Sequence, residues 1–211
     1  MLATLKRQWV VHIKAHTTIY LIILFVFISG IMAGAFTVLS LPPQQRLNTG
    51  NFLQEFFKSG QNLSINRWII FKSALWQHLI TILLVWFFSL FIWGSPFILV
   101  IIGIKGFSFG FTVGFMVEYY GFGGFLFSLL CILPQSLIYV PCYLGIGILS
   151  LLFSTLSLGG KNAYYSKHQR QNMIGSHTGK FLIAFLSLLV GIMIETFISP
   201  LFFPLFLWIF G

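Results

Sequence analysis

GIKGFSFGFTVGFMVE, residues 103–118, is the stretch whose reading decides the fold. Gly106, Gly110 and Gly114 recur every fourth residue, Gly103 precedes them, and Glu118 falls on the next repeat. Residues four apart stack on one helix face, so the stretch predicts a smooth glycine groove that ends in a carboxylate. Phe107, Phe109, Phe111, Val113 and Phe115 cover the other faces. In water each interior glycine would cost roughly 1 kcal/mol relative to alanine. In a bilayer the backbone must satisfy its own hydrogen bonds, and small residues let a second helix approach closely. The stretch therefore reads as the central packing seam of an all-α, polytopic transmembrane bundle.

Composition agrees. Of 211 residues 58% are hydrophobic and only 7% charged, with a mean hydropathy of +0.96. A soluble domain carries about 25% charged residues, so the chain belongs to the membrane class, as a single integral domain over 1–211. Its acids are Glu55, Glu118 and Glu195, with no Asp, against twelve Lys and Arg and a formal charge of +9. The basic residues lie mostly outside the apolar runs, so they read as orientation signals and contacts to the lipid bilayer rather than to nucleic acid. Cys131 and Cys142 share one apolar run; on a continuous helix they stand about 16 Å apart, too far for a disulfide.

From the N-terminus, residues 1–17 place Leu2, Leu5, Trp9 and Ile13 at helical spacing among basic residues, an amphipathic segment on the cytoplasmic surface. A first span covers Ile19 to Leu39 and carries Gly30 and Gly34, and Pro42 and Pro43 stop it. The 41–74 connection is predicted to lie outside. Within it Phe52, Phe56 and Phe57, with Arg67 and Lys72 beyond, form a candidate partner surface. A second span covers Trp76 to Trp93, with 64–72 able to extend the helix, and Gly94-Ser95-Pro96 turns the chain into the glycine span. Tyr119 to Gly124 is an aromatic, glycine-rich connection. From Phe125 to Leu158 the chain is apolar for longer than one span of about 20 residues needs. Pro134, Gln135 and Pro141 interrupt it, so the fourth helix is expected to be broken there, by a kink or by a re-entrant piece. Residues 159–180 form a basic cytoplasmic loop, and a fifth span covers Phe181 to Ser199. The tail, Leu201 to Phe210, is too short to cross unaided. Five spans place both the N-terminus and 159–180 inside, as the positive-inside rule asks, although Arg46, Lys58, Arg67 and Lys72 in the outer connection run against it.

Two charges stand inside spans. Lys105 lies in mid-span and Glu195 lies within the last span, and an intramembrane charge is a functional candidate by default. Glu195 is expected about 9 Å further out than Lys105, which disfavours a direct pair. Glu118 sits at a span end, where a surface carboxylate is cheap. Gly106-Phe107-Ser108-Phe109-Gly110 satisfies the G-x-S-x-G pattern of serine hydrolases, but that motif needs a strand, a sharp turn and a helix, and a membrane helix supplies none of this context. No catalytic set, metal-ligand set or phosphate-binding loop is read from the sequence, so neither an enzyme nor a cofactor is expected.

The run FILVIIGIKGFSFGFTVGFMVEYYGFGGFLFSLLCILPQSLIYVP, Phe97 to Pro141, together with GIMIETFISP near the end, resembles the stage II sporulation protein M family. A wider group of related membrane proteins has Pro-His-Gly and a Glu where this chain has Pro134-Gln135-Ser136, and the departure favours the sporulation branch. The resemblance implies a non-enzymatic scaffold in the mother-cell and septal membrane. It implies partners too: sporulation proteins D and P, which degrade septal peptidoglycan so that the forespore can be engulfed. A homo-oligomer and a permease-like or channel-like subunit stay open as alternatives.

Overall fold

The computed structural model describes residues 16–51, 67–158 and 167–197, and all its long elements are helices. α1 is Thr17–Leu39, α2 is Arg67–Ser89, α3 is Ser95–Leu152 and α4 is Lys167–Phe197. All four contain a stretch long and apolar enough to cross a membrane. Their outward surfaces carry the large apolar side chains that lipid accepts: Phe25, Leu83, Val100, Ile183 and Val190 are all exposed. The chain is an integral membrane protein.

α3 is two passes joined at one residue. A straight helix of 58 residues would be about 87 Å long, nearly three times the thickness of the hydrocarbon core. Instead Ser95 and Ser154 are 3.2 Å apart through their hydroxyls, and the Cβ position of Gly147 lies 3.1 Å from Ile102. The chain must reverse between them. It does so at Gly121, whose φ of 59° and ψ of −136° are closed to L side chains. The arms 95–120 and 122–152 therefore lie antiparallel, and the described residues make five passes.

The fourth pass is not broken at its prolines. The backbone stays helical through Pro134, Gln135 and Pro141, and Gly121 is the one non-helical position inside α3. Each proline removes an amide and forfeits one hydrogen bond, but the two are seven residues apart and so share one helix face. Surrounding helices hold such a helix together in lipid. The pass ends in a widened π turn, Phe153–Leu158.

Two boundaries also move. α2 begins at Arg67 and ends at Ser89, with a short 3-10 turn, Ile92–Gly94, before α3. Gly94 is required there, since a Cβ would lie 1.8 Å from the Phe88 carbonyl oxygen. The basic segment read as a loop over 159–180 is helical from Lys167 onward. The expected amphipathic segment 1–17, the partner residues Phe52, Phe56 and Phe57, and the tail after Phe197 fall almost wholly outside the described residues.

The core forms where α1, α2, α4 and both arms of α3 meet. Ile23 and Phe27 of α1, Ile82 and Val85 of α2, Ile98 and Ile102 of the first arm, Ile146 of the second and Leu188 of α4 form one buried cluster. In α2 the buried residues Ala74, His78, Thr81, Ile82, Val85 and Ser89 fall at helical spacing. That stripe brings polar groups into the bundle.

Candidate functional site

The glycine face of α3 meets α1. A Cβ on Gly106 would lie 2.3 Å from the Phe27 carbonyl oxygen, and one on Gly110 would lie 2.0 Å from that of Ile31. The approach is mutual: Cβ atoms on Gly30 and Gly34 would lie 2.4 and 2.2 Å from the carbonyl oxygens of Gly103 and Phe107. Each pair advances by the same step along both helices, so α1 and the first arm of α3 run parallel. Gly114 flanks the seam against Ala35, and Gly103 makes only an ordinary 3.4 Å contact with Val26. The hydrogen that replaces Cβ at the four tight positions points at an opposing carbonyl. Such Cα–H···O contacts are worth about 0.5–1 kcal/mol each, a relevant sum where lipid removes the usual hydrophobic gain between helices.

Lys105 and Glu195 belong to a polar cluster built from α2, both arms of α3 and α4. Tyr139 donates its hydroxyl to Glu195 Oε2 at 2.6 Å. His78, buried on α2, hydrogen-bonds through Nδ1 to the Tyr143 hydroxyl, and its Nε2 lies 3.8 Å from the same Glu195 oxygen. A carboxylate on that side favours the proton on Nε2, which leaves Nδ1 to accept from Tyr143. The His78 ring also packs on Tyr139, with ring centres 4.2 Å apart. Lys105 closes the set, its Nζ 5.4 Å from the centre of the Tyr143 ring. Tyr139 and Tyr143 are one turn apart, about 6 Å along the helix. They bridge the axial offset expected between Lys105 and Glu195, so the two charges share a cluster without touching. Hydrogen bonding and a cation over an aromatic face make a buried charge tolerable in lipid.

Each end of the bundle is tied separately. At the end where α1 finishes, Arg46 on a short helix over 43–51 pairs with Glu118 at 2.7 Å and donates to the Leu39 carbonyl at 2.5 Å. Gly50 packs against Tyr119, the last ring of a stack running through Phe107, Phe111 and Phe115. One of the cations of the 41–74 connection thus has its counter-charge at the same end of the bundle. Arg67, a proposed partner residue, lies over the Phe197 ring at 5.6 Å, while Lys72 is exposed. At the opposite end Ser154 donates to the Phe91 carbonyl, buried His177 bonds Ser89 at 2.8 Å, and Trp86 donates to Thr178. Ser108 donates to the Ile104 carbonyl of its own helix at 2.9 Å, so no strand-turn-helix elbow surrounds it.

The sequence matches the family described as Stage II sporulation protein M over residues 23–200. The chain belongs to the stage II sporulation protein M family. No curated protein and no solved structure matches it. The match reaches into all five described passes of this family member, including the seam and every residue of the polar cluster.

Within this stage II sporulation protein M fold, sequence reasoning found the two intramembrane charges and missed the groups that receive them. The only signal for them was spacing: His78 lies on the small and polar face of an apolar helix, and Tyr139 and Tyr143 are four residues apart. Gly30 and Gly34 were visible as a small pair, but only the fold identifies them as the other half of the seam.

Proposed function

We propose that the protein is a non-catalytic membrane scaffold that anchors septal peptidoglycan-degrading enzymes, sporulation proteins D and P, for forespore engulfment. The family match over residues 23–200 carries this reading. The seam supports it physically, because backbone-to-backbone packing suits a rigid platform better than a moving carrier. The outer connection over 41–74 is the contact surface of the proposal, with Lys72 exposed on its α2 side and Arg46 clamped to Glu118 at its root. The mother-cell membrane at the septum is its place of action. Replacing residues 51–72 with a polar linker of equal length tests the proposal. Co-purification of the P protein is expected to fall to background while the variant stays at wild-type level in the membrane. Retained co-purification would move the contact into the spans.

A permease-like or channel-like subunit is the second reading, favoured by the polar cluster at Lys105 and Glu195. Polar groups at mid-membrane often line transport sites. Here Glu195 accepts a hydrogen bond from Tyr139 and Lys105 stands over the Tyr143 ring, so both charges already have partners within the bundle.

A further inference from the structure

Between the second arm of α3 and α4 runs an apolar groove of about 460 Å³, open on its outer side. Ile138, Pro141, Ile146 and Leu149 form one wall, and Ile183 and Ala184 the other. Gly145 deepens it, with no atom within 4 Å of where its Cβ would be, and a Cys142 thiol bonded to the Ala184 carbonyl at 3.3 Å ties the walls together. Lys180 stands at one end of the groove and Ser187 at the other. Seven residues of helix separate them, about 10 Å, and the opposite wall from Ile138 to Leu149 covers about 16 Å. The groove therefore has the depth of a single leaflet, half of a hydrocarbon core about 30 Å thick.

Charge distinguishes its Lys180 end. Among the described residues the ion pairs are Arg46 with Glu118 and His78 with Glu195, and Lys180 enters neither. No acid occurs anywhere in the sequence between Glu118 and Glu195, while Lys161, Lys167, Arg170 and Lys180 all do. An apolar slot one leaflet deep, closed at its interface end by a cation that no described residue neutralises, complements an anionic amphiphile.

We propose that this groove is a binding site for one anionic phospholipid of the cytoplasmic leaflet. An acyl chain lies along Ile183, Gly145 and Pro141, and the phosphate lies at Lys180. The site stands whether or not the protein anchors hydrolases.

Native mass spectrometry of the purified full chain, titrated with phosphatidylglycerol or with phosphatidylcholine of the same acyl chains, tests the assignment. Phosphatidylglycerol is expected to be retained about tenfold more strongly. Lys180→Gln should weaken it about fivefold, as follows from about 1 kcal/mol for one cation near a charged surface, and leave phosphatidylcholine unchanged. Gly145→Leu points a side chain into open space and should abolish retention of both lipids with the helical circular dichroism and unfolding temperature unaltered. Should that variant fail to accumulate, Ile183→Trp fills the groove from α4 and is expected to give the same loss. Equal retention of the two lipids, or retention undiminished in the filled variants, overturns the proposal. Displacement of phosphatidylglycerol by millimolar inorganic phosphate would also overturn it, since the headgroup charge alone would then account for binding.

Discussion

Gly110 and Ile31 are in backbone contact: a Cβ at residue 110 would lie 2.0 Å from the Ile31 carbonyl oxygen. The helix cannot step back at that one point, because Gly106, Gly30 and Gly34 are equally close to their own partners. Gly110→Ala is therefore expected to destabilise the bundle by about 1–3 kcal/mol, the usual range for overpacking. Gly110→Leu should separate α1 from α3 altogether. Gly103→Ala, with its nearest neighbour 3.4 Å away, should stay within about 0.5 kcal/mol of wild type. Thermal unfolding in detergent ranks the three variants, and equal behaviour of Gly103→Ala and Gly110→Ala would dismiss the seam.

The polar cluster offers a sharper energetic test. Tyr139→Phe removes the 2.6 Å donor to Glu195 and leaves the ring on His78. A double-mutant cycle with Glu195→Leu is expected to give a coupling of about 0.6 kcal/mol, the average for hydrogen bonds between membrane helices, and no more than about 1.7 kcal/mol. His78→Leu takes away the ring nitrogen that the Tyr143 hydroxyl bonds and should cost about 0.5–1.5 kcal/mol. A cycle that closes to zero would mean that Tyr139 and Glu195 are neighbours and no more.

Function separates from stability in one double variant. Lys105→Leu combined with Glu195→Gln removes both intramembrane charges and cannot carry an ion or proton through them. Normal engulfment at normal protein level is the outcome expected of a scaffold. Failed engulfment at normal level would favour the permease reading.

Gly121 is the hinge on which the five-pass topology rests. Gly121→Val forces a β-branched side chain into φ 59°, ψ −136°, a strain of roughly 1–3 kcal/mol. Single cysteines at 95, 120 and 168 report the same geometry by labelling from either side of the membrane. Residue 120 should react from one face, and 95 and 168 from the other.

The ion pair at the end where α1 finishes should contribute little. Arg46 is 37% and Glu118 33% exposed, so breaking the pair with Glu118→Gln is expected to cost about 0.2–1 kcal/mol and to matter less at high salt. Its larger consequence is positional. Cross-linking yield between cysteines placed on 43–51 and at the end of the glycine pass should drop in the variant.

What could be read from the chain follows from the kind of signal each feature leaves. Passes leave long apolar runs, and the seam leaves glycines at a fixed interval, so both were legible at Gly106, Gly110 and Gly114. The turn at Tyr119 to Gly124 was legible too, because glycines and aromatics mark a membrane interface. Pro134 and Pro141 misled, since proline breaks helices in water, where the lost hydrogen bond has competing solvent and the helix has few neighbours. Inside a bundle the same residues sit in a continuous helix. The polar cluster was half legible for a different reason. Charges stand out in an apolar background, whereas His78 and the tyrosines that receive them are ordinary in isolation and acquire meaning only when four passes converge.

Because α1 lies parallel to the glycine pass, a whole pass in the opposite direction must be synthesised between the two halves of the seam. The α1 half therefore emerges first of the two and waits in lipid, its glycine face uncovered, until residues beyond 110 arrive. Insertion machinery or a neighbouring membrane protein has that interval in which to hold or misroute it, and mutations at Gly30 or Gly34 should register first as loss during biogenesis.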